Sequence, residues 1–124
     1  MKIQESAENY LETILVLHQR LGQVRSIDVV GEMGFSKPSV SIAMKNFREN
    51  GLITMDESGF ITLTDEGRAI AERTYERHQT LSHMLISLGV SEEVAREDAC
   101  RLEHVLSEES YQKIRNHFKD QTKQ

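Results

Sequence analysis

The chain has 124 residues, 38% of them hydrophobic and 28% charged, with a formal net charge of −5. That size suits one small domain or two closely coupled subdomains, and the composition is that of a globular protein. No apolar run approaches the roughly 18 residues that a bilayer span needs, and Met1 to Glu5 lacks an apolar signal core, so a cytoplasmic protein with no membrane partner is expected. The single cysteine, Cys100, excludes an internal disulfide framework. One proline and no tryptophan argue against a loop-rich binding module, and no glycine-rich phosphate loop occurs. A small helical core also favours dimerisation.

The charge is unevenly spread. Between Arg20 and Arg48 stand Arg20, Arg25, Lys37, Lys45 and Arg48 against only Asp28 and Glu32. Between Glu92 and Glu109 the balance reverses, with Arg96 and Arg101 facing Glu92, Glu93, Glu97, Asp98, Glu103, Glu108 and Glu109. Such asymmetry suggests a half that faces a polyanion and a half that faces cations, although solvated faces would look the same.

The first predicted helix runs from about Ala7 to Leu21, with Tyr10, Ile14, Leu17 and Leu21 as its apolar stripe and Gly22 as its stop. A short second helix, Ser26 to Met33, takes Ser26 as N-cap and turns Ile27, Val30 and Met33 inward. Gly34 then permits a sharp turn. The third helix starts at the cap Ser36 with Pro38 in its first turn, where the missing N–H costs nothing. Val40, Ala43, Met44 and Phe47 form its buried side, and Gly51 ends it. On the other side Lys37, Ser41, Lys45 and Arg48 form one stripe, with Ser39 beside it. Small hydroxyls between cations let a helix lie close to a groove while the cations reach phosphates. A short helix, a tight turn and a basic-faced second helix make a helix-turn-helix.

Leu52 to Leu63 reads as a hairpin, Ile53 and Met55 on one arm and Ile61 and Leu63 on the other, turning near Glu57-Ser58-Gly59. A hairpin directly after such a helix is a wing. Its tip carries Asp56 and Glu57, which repel phosphate, so either the tip stays off the backbone or only Ser58 and Gly59 approach it. The candidate DNA-contacting set is Arg25, Ser26, Ser36, Lys37, Pro38, Ser39, Ser41, Lys45, Arg48 and Ser58.

Thr64 caps a long fourth helix with Asp65 and Glu66 in its first turn. It reaches about Leu88, and Gly89 stops it. Its seam is Ala71, Thr74, His78, Leu81, Leu85 and Leu88. A lone histidine on such a seam is more often a hydrogen-bonded core residue than a ligand. The fifth helix starts at the cap Ser91 and buries Ala95, Ala99, Leu102 and Leu106. Beside that stripe Cys100, Glu103 and His104 fall at i, i+3 and i+4, where their side chains converge. Thiolate, carboxylate and imidazole together make a mixed donor set for a divalent transition metal. Asn9 and Glu12, at i and i+3 on the first helix, and His78 are candidates to complete it if helices one, four and five pack together. A last helix, about Glu108 to Lys119, is capped by Ser107 and carries Tyr111, Ile114 and Phe118 on one face.

Four segments carry a resemblance. They are Glu8 to Ile14, the helix-turn-helix through Ile53, Leu63 to Arg68, and Ala99-Cys100-Arg101-Leu102-Glu103-His104-Val105-Leu106-Ser107. Together they resemble the diphtheria toxin repressor family of iron- and manganese-sensing repressors, over nearly the whole chain. The resemblance implies a homodimer that binds double-stranded, palindromic operator DNA when Fe²⁺ or Mn²⁺ is bound, with Co²⁺ or Zn²⁺ able to substitute in vitro. It implies that His78, Cys100, Glu103 and His104 are metal-binding positions. Cysteine at position 100 is similar to the iron-sensing branch, whereas Glu12 resembles a ligand of the manganese-sensing branch. Asn9 stands where that branch has Asp and the iron branch has Met. The family's ancillary site needs a carboxylate and a histidine where this chain has Ser82 and Arg96, which implies that the site is absent or altered. In length the chain resembles the family's two-domain form, so the SH3-like third domain of the larger iron repressors is not expected.

The expected architecture is therefore mainly α: a winged helix-turn-helix over residues 1–74 and a helical dimerisation and metal-binding domain over 75–124. The expected function is a metal-dependent repressor of metal homeostasis and not an enzyme. Two rivals are a winged helix answering to a small organic ligand, with His78 and Cys100 structural, and a small metal-dependent hydrolase using Glu103 as base. The hydrolase leaves the basic stripe unexplained.

Overall fold

A computed structural model describes residues 5–122, which form six helices and one two-stranded sheet. In chain order these are α1 (Glu5–Leu21), α2 (Ser26–Met33), α3 (Lys37–Glu49), β1 (Ile53–Met55), β2 (Ile61–Leu63), α4 (Asp65–Ser87), α5 (Glu92–Val105) and α6 (Glu108–Thr122). The chain divides into two compact units that meet between Arg73 and Thr74, within α4. Among the described residues no helix is long and apolar enough to cross a membrane.

The first unit is built on α1. Tyr10, Ile14 and Leu17 are buried as the spacing predicts, and Leu11 and Leu15 are buried too, so the apolar face is wider than one stripe. Leu21 departs from the prediction at 50% exposure. It is the last helical residue, and Gly22 at φ 83° turns the chain away before a fourth inward position can form. In α2 the buried residue is Val29, while Ile27 is 54% exposed. Two turns of helix allow more than one apolar face, and packing against both α1 and α3 selects the one centred on Val29. The cap also moves: Ser26 is the first helical residue and Arg25 the N-cap, its N–H donating to Asp28 at 2.9 Å.

Helix α3 begins as expected. Ser36 Oγ accepts the Ser39 N–H at 3.3 Å, Pro38 occupies the first turn, and Val40, Met44 and Phe47 are buried. Tyr10 sits edge-on to both Phe35 and Phe47, each ring 5.7 Å away. The antiparallel pair β1–β2 aligns Ile53 with Leu63 and Met55 with Ile61. Ile61 donates its N–H to the Val24 carbonyl at 2.7 Å, and the His18 ring lies 2.7 Å from the Ile61 carbonyl oxygen, tying the hairpin to α1 and the segment before α2. At the tip, Asp56 Oδ1 accepts the N–H groups of Ser58 and Phe60, both at 2.9 Å. The acidic tip residue thus holds its own turn together.

Thr64 caps α4 as predicted, accepting the Gly67 N–H at 3.1 Å and donating to the Gly51 carbonyl at 2.7 Å. Gly67 is required by close approach: a Cβ there would stand 2.0 Å from the Leu52 carbonyl oxygen.

In the second unit α4, α5 and α6 bury Leu81, Ala95, Ala99 and Tyr111. Leu88 does not belong to the α4 seam and is 69% exposed. The helix ends at Ser87 and the chain reverses at Gly89 (φ 100°), so Leu88 no longer follows the helical period. Ser91 and Ser107 cap α5 and α6, accepting the N–H groups of Val94 and Ser110 at 3.4 and 3.1 Å.

Candidate metal centre

Helical spacing on α5 puts Cys100, Glu103 and His104 on adjoining positions one turn apart. Each contributes one donor atom to a group whose members lie within 4.8 Å of one another. Glu103 is the centre of the cluster and only 2% exposed. Its Oε1 lies 3.2 Å from His104 Nε2, and its Oε2 lies 3.2 Å from His78 Nδ1 on α4. Within the second unit the structure therefore brings His78, Cys100, Glu103 and His104 together, and His78 is the one that α4 delivers.

The chemistry of this set fits a divalent cation. Neither Glu103 oxygen accepts a hydrogen bond from any described residue, and both are shielded from solvent. A buried carboxylate left in that state costs several kcal/mol unless a positive charge compensates it. Two imidazoles, a thiol and a carboxylate supply the nitrogen, sulfur and oxygen donors that Fe²⁺, Mn²⁺, Co²⁺ and Zn²⁺ take in varying proportion. Asn9 and Glu12 lie on α1 in the first unit, both half-buried, with Glu12 Oε2 shielded from solvent.

Sequence reasoning missed Arg77. Its guanidinium donates to the carbonyls of Glu103 at 3.0 Å and Leu106 at 3.2 Å, and to Glu108 Oε2 at 2.6 Å. It also lies 4.7 Å from the centre of the Tyr111 ring, whose phenol is raised above its usual pKa, first by burial. Arg77 thus fastens the last turn of α5, which carries Glu103 and His104, to α4 and α6. An arginine next to a seam histidine carries no signature in sequence, because two of its three acceptors are main-chain carbonyls 26 and 29 residues away.

Ser82 and Arg96, where the resemblance implied an absent or altered ancillary site, line a pocket of about 240 Å³ together with His78, Gln79, His83, Ile86 and Glu92. Arg96 is paired with Glu92 at 2.7 Å. A hydroxyl and a guanidinium do not make the anionic donor set that a second metal needs there.

In the first unit the basic stripe is exposed throughout: Lys37, Ser41, Lys45 and Arg48, with Ser39 beside them. Pro38 is exposed one residue past Lys37, and Ser36 is exposed while serving as the cap of α3. Ser26 joins Ser41, Ile42, Met44, Lys45, Arg48 and Met55 around an open groove of about 340 Å³. Arg25 lies over the Phe60 ring at 4.3 Å, and Ser58 is exposed at the hairpin tip.

Comparison with known proteins completes the picture. Residues 2–59 match the profile of the N-terminal DNA-binding domain of iron-dependent repressors, and residues 64–123 match their metal-binding and dimerisation domain. The chain belongs to the iron-dependent repressor family. It is 38% identical over 111 residues to the transcriptional regulator MntR of Escherichia coli O157:H7, covering 90% of this chain and 72% of that protein. It is 28% identical over 106 residues to the iron-dependent repressor IdeR of Mycobacterium bovis, covering 85% of this chain and 46% of the relative. Among solved structures it is similar to a manganese-dependent transcriptional repressor in complex with manganese, with 28% identity and a TM-score of 0.79. That match covers 87% of this chain but 50% of the other, so the chain spans about half the length of the solved repressor. Family membership accounts for the division of labour in sequence: a winged helix-turn-helix followed by a helical domain whose family members bind metal and dimerise.

Proposed function

We propose that this protein is a metal-activated repressor that binds palindromic operator DNA as a homodimer and responds to Fe²⁺ or Mn²⁺. The observation that carries the reading is Glu103, a solvent-shielded carboxylate flanked by two imidazoles and a thiol in the segment that matches the family's metal-binding domain. A bound divalent cation supplies the positive charge that Glu103 lacks and links α4 to α5. His78, Cys100, Glu103 and His104 are assigned as its ligands, and Glu12 and Asn9 as further donors from the first unit. Arg77 keeps Glu103 and His104 in place by holding the last α5 turn.

The DNA contacts are assigned to Arg25, Ser26, Ser36, Lys37, Pro38, Ser39, Ser41, Lys45, Arg48 and Ser58. Lys37, Lys45 and Arg48 neutralise phosphates, while the serines between them let α3 approach the major groove. Because Asp56 is committed to its own turn, the hairpin tip offers Ser58 to the DNA. Operator DNA places this activity in the cytoplasm. The cation and the DNA act on one equilibrium: metal favours the dimer geometry in which two recognition helices meet successive grooves.

The Cys100 thiolate favours Fe²⁺, Co²⁺ and Zn²⁺ over Mn²⁺, whereas Glu12 favours Mn²⁺. The test is operator binding measured anaerobically against free Mn²⁺, Fe²⁺, Co²⁺ and Zn²⁺. Binding that rises with Fe²⁺ or Mn²⁺ and is abolished by a chelator supports the reading. Operator binding of equal strength in chelator-treated protein overturns it. In the same assay Cys100→Glu is expected to shift activation towards Mn²⁺; an unchanged Fe²⁺/Mn²⁺ ratio would remove Cys100 from the ligand set.

A further inference from the structure

The outer face of α3 is not wholly polar. Ile42 is 64% exposed in the middle of that face, between Ser41 and Lys45, while Val40, Met44 and Phe47 point the other way into the core. Helical geometry sets Ile42 one turn after Pro38 and one turn before Lys45. It forms the apolar lip of the groove whose polar wall is Ser26, Ser41, Lys45 and Arg48. Ile42 adds nothing to the core, and Ile is a poorer helix former than the straight-chain residues, so neither packing nor helix propensity favours it over them at this position. Hydroxyls and cations around it suit phosphate, which carries no sequence information. The one base-edge feature in the major groove that an aliphatic side chain recognises is the 5-methyl group of thymine.

We propose that Ile42 is a specificity-determining residue that packs on the 5-methyl group of a thymine in the major groove, while Lys45 and Arg48 hold the adjoining phosphates. This rests on the DNA-binding reading above. Placement in the first half of α3 agrees with it, because the early residues of a recognition helix are those that reach base edges. Exposure of Ile42 means that replacing it leaves the core intact.

The experiment begins with the full chain loaded anaerobically with Mn²⁺ and, in parallel, with Fe²⁺, and a pool of random duplexes from which bound sites are recovered. Each thymine of the recovered site is then replaced, in both half-sites, by deoxyuridine, which lacks only the methyl group. One position is expected to lose about 3- to 5-fold in affinity per methyl removed. Ile42→Ala is expected to bind the thymine site as weakly as wild type binds the uracil site, and to be indifferent to that replacement. A second variant, Ile42→Gln, is expected to shift the recovered base at that position towards adenine, which glutamine reads with paired hydrogen bonds. If sites are recovered in a metal-dependent way but no thymine is sensitive to demethylation, the assignment of Ile42 falls and the repressor reading stands. The same holds if Ile42→Ala keeps the wild-type sensitivity at every thymine. If no metal-dependent site is recovered at all, the repressor reading fails and takes this proposal with it.

Discussion

Replacing Arg77 by methionine keeps the aliphatic stem but removes the guanidinium that fastens the end of α5. Two of its bonds go to the carbonyls of Glu103 and Leu106, at 3.0 and 3.2 Å. These lie in and just after the last turn of a helix, where carbonyls lack intrahelical partners and carry the negative end of the dipole. Hydrogen bonds from a charged donor contribute about 1.5–3 kcal/mol each, and the ring contact with Tyr111 about 0.5–2 kcal/mol. The ion pair with Glu108 adds under about 1 kcal/mol, since Glu108 is mostly exposed. The terms share one side chain and do not add, so a loss of about 3 kcal/mol is expected, or roughly 10 °C in melting temperature of the metal-free protein. Fraying of the same turn would also loosen Glu103 and His104. Loss of an outer partner of a metal ligand typically lowers affinity about 10- to 100-fold, and that range is expected for Mn²⁺. The assays are thermal unfolding in chelator and metal titration of the folded protein at low temperature. A variant that melts at the wild-type temperature and binds Mn²⁺ with wild-type affinity would refute the claim that Arg77 organises the site.

Three further perturbations separate the parts of the molecule. Glu103→Gln removes a buried charge that no described residue satisfies with a hydrogen bond, so the metal-free variant is expected to melt no lower than wild type, while the stabilisation that Mn²⁺ gives the wild type disappears; a large drop in metal-free stability would show that the carboxylate is structural. Gly67→Ala forces a methyl group against the Leu52 carbonyl oxygen, 2.0 Å from the ideal Cβ position, and is expected to cost about 2–4 kcal/mol in chemical denaturation, far beyond the usual effect of this substitution. Lys45→Ala is expected to weaken operator binding and to reduce the slope of log affinity against log salt by about 0.9 for each phosphate that the lysine no longer neutralises, with metal affinity of the DNA-free protein unchanged; an unaltered salt slope would take Lys45 off the phosphates.

Much of this protein is written locally. Ser36 with Pro38, Thr64 with Asp65 and Glu66, Ser91 and Ser107 mark the starts of helices because capping depends on residues three or four apart. The same range of interaction makes Cys100, Glu103 and His104 legible as a converging set, since positions i, i+3 and i+4 share a face whatever the helix packs against. The basic stripe of α3 is readable for the same reason. What the sequence leaves open depends on which face a neighbour covers. The two turns of α2 are too few for periodicity to choose between Ile27 and Val29, and packing against α1 and α3 makes the choice. Leu21 and Leu88 continue an apolar period on paper, but each stands where its helix ends. Sequence reads His78 as a core histidine or a donor and does not place it beside Glu103; the packing of α4 against α5 brings its Nδ1 to 3.2 Å from that carboxylate. Arg77 is invisible for a stronger reason: its partners include the main-chain carbonyls of Glu103 and Leu106, and a carbonyl has the same chemistry in every residue. Local sequence therefore determined the caps, the donor triplet and the cationic face. Only tertiary structure, by bringing together groups 26 and 29 residues apart, decided what holds them in place.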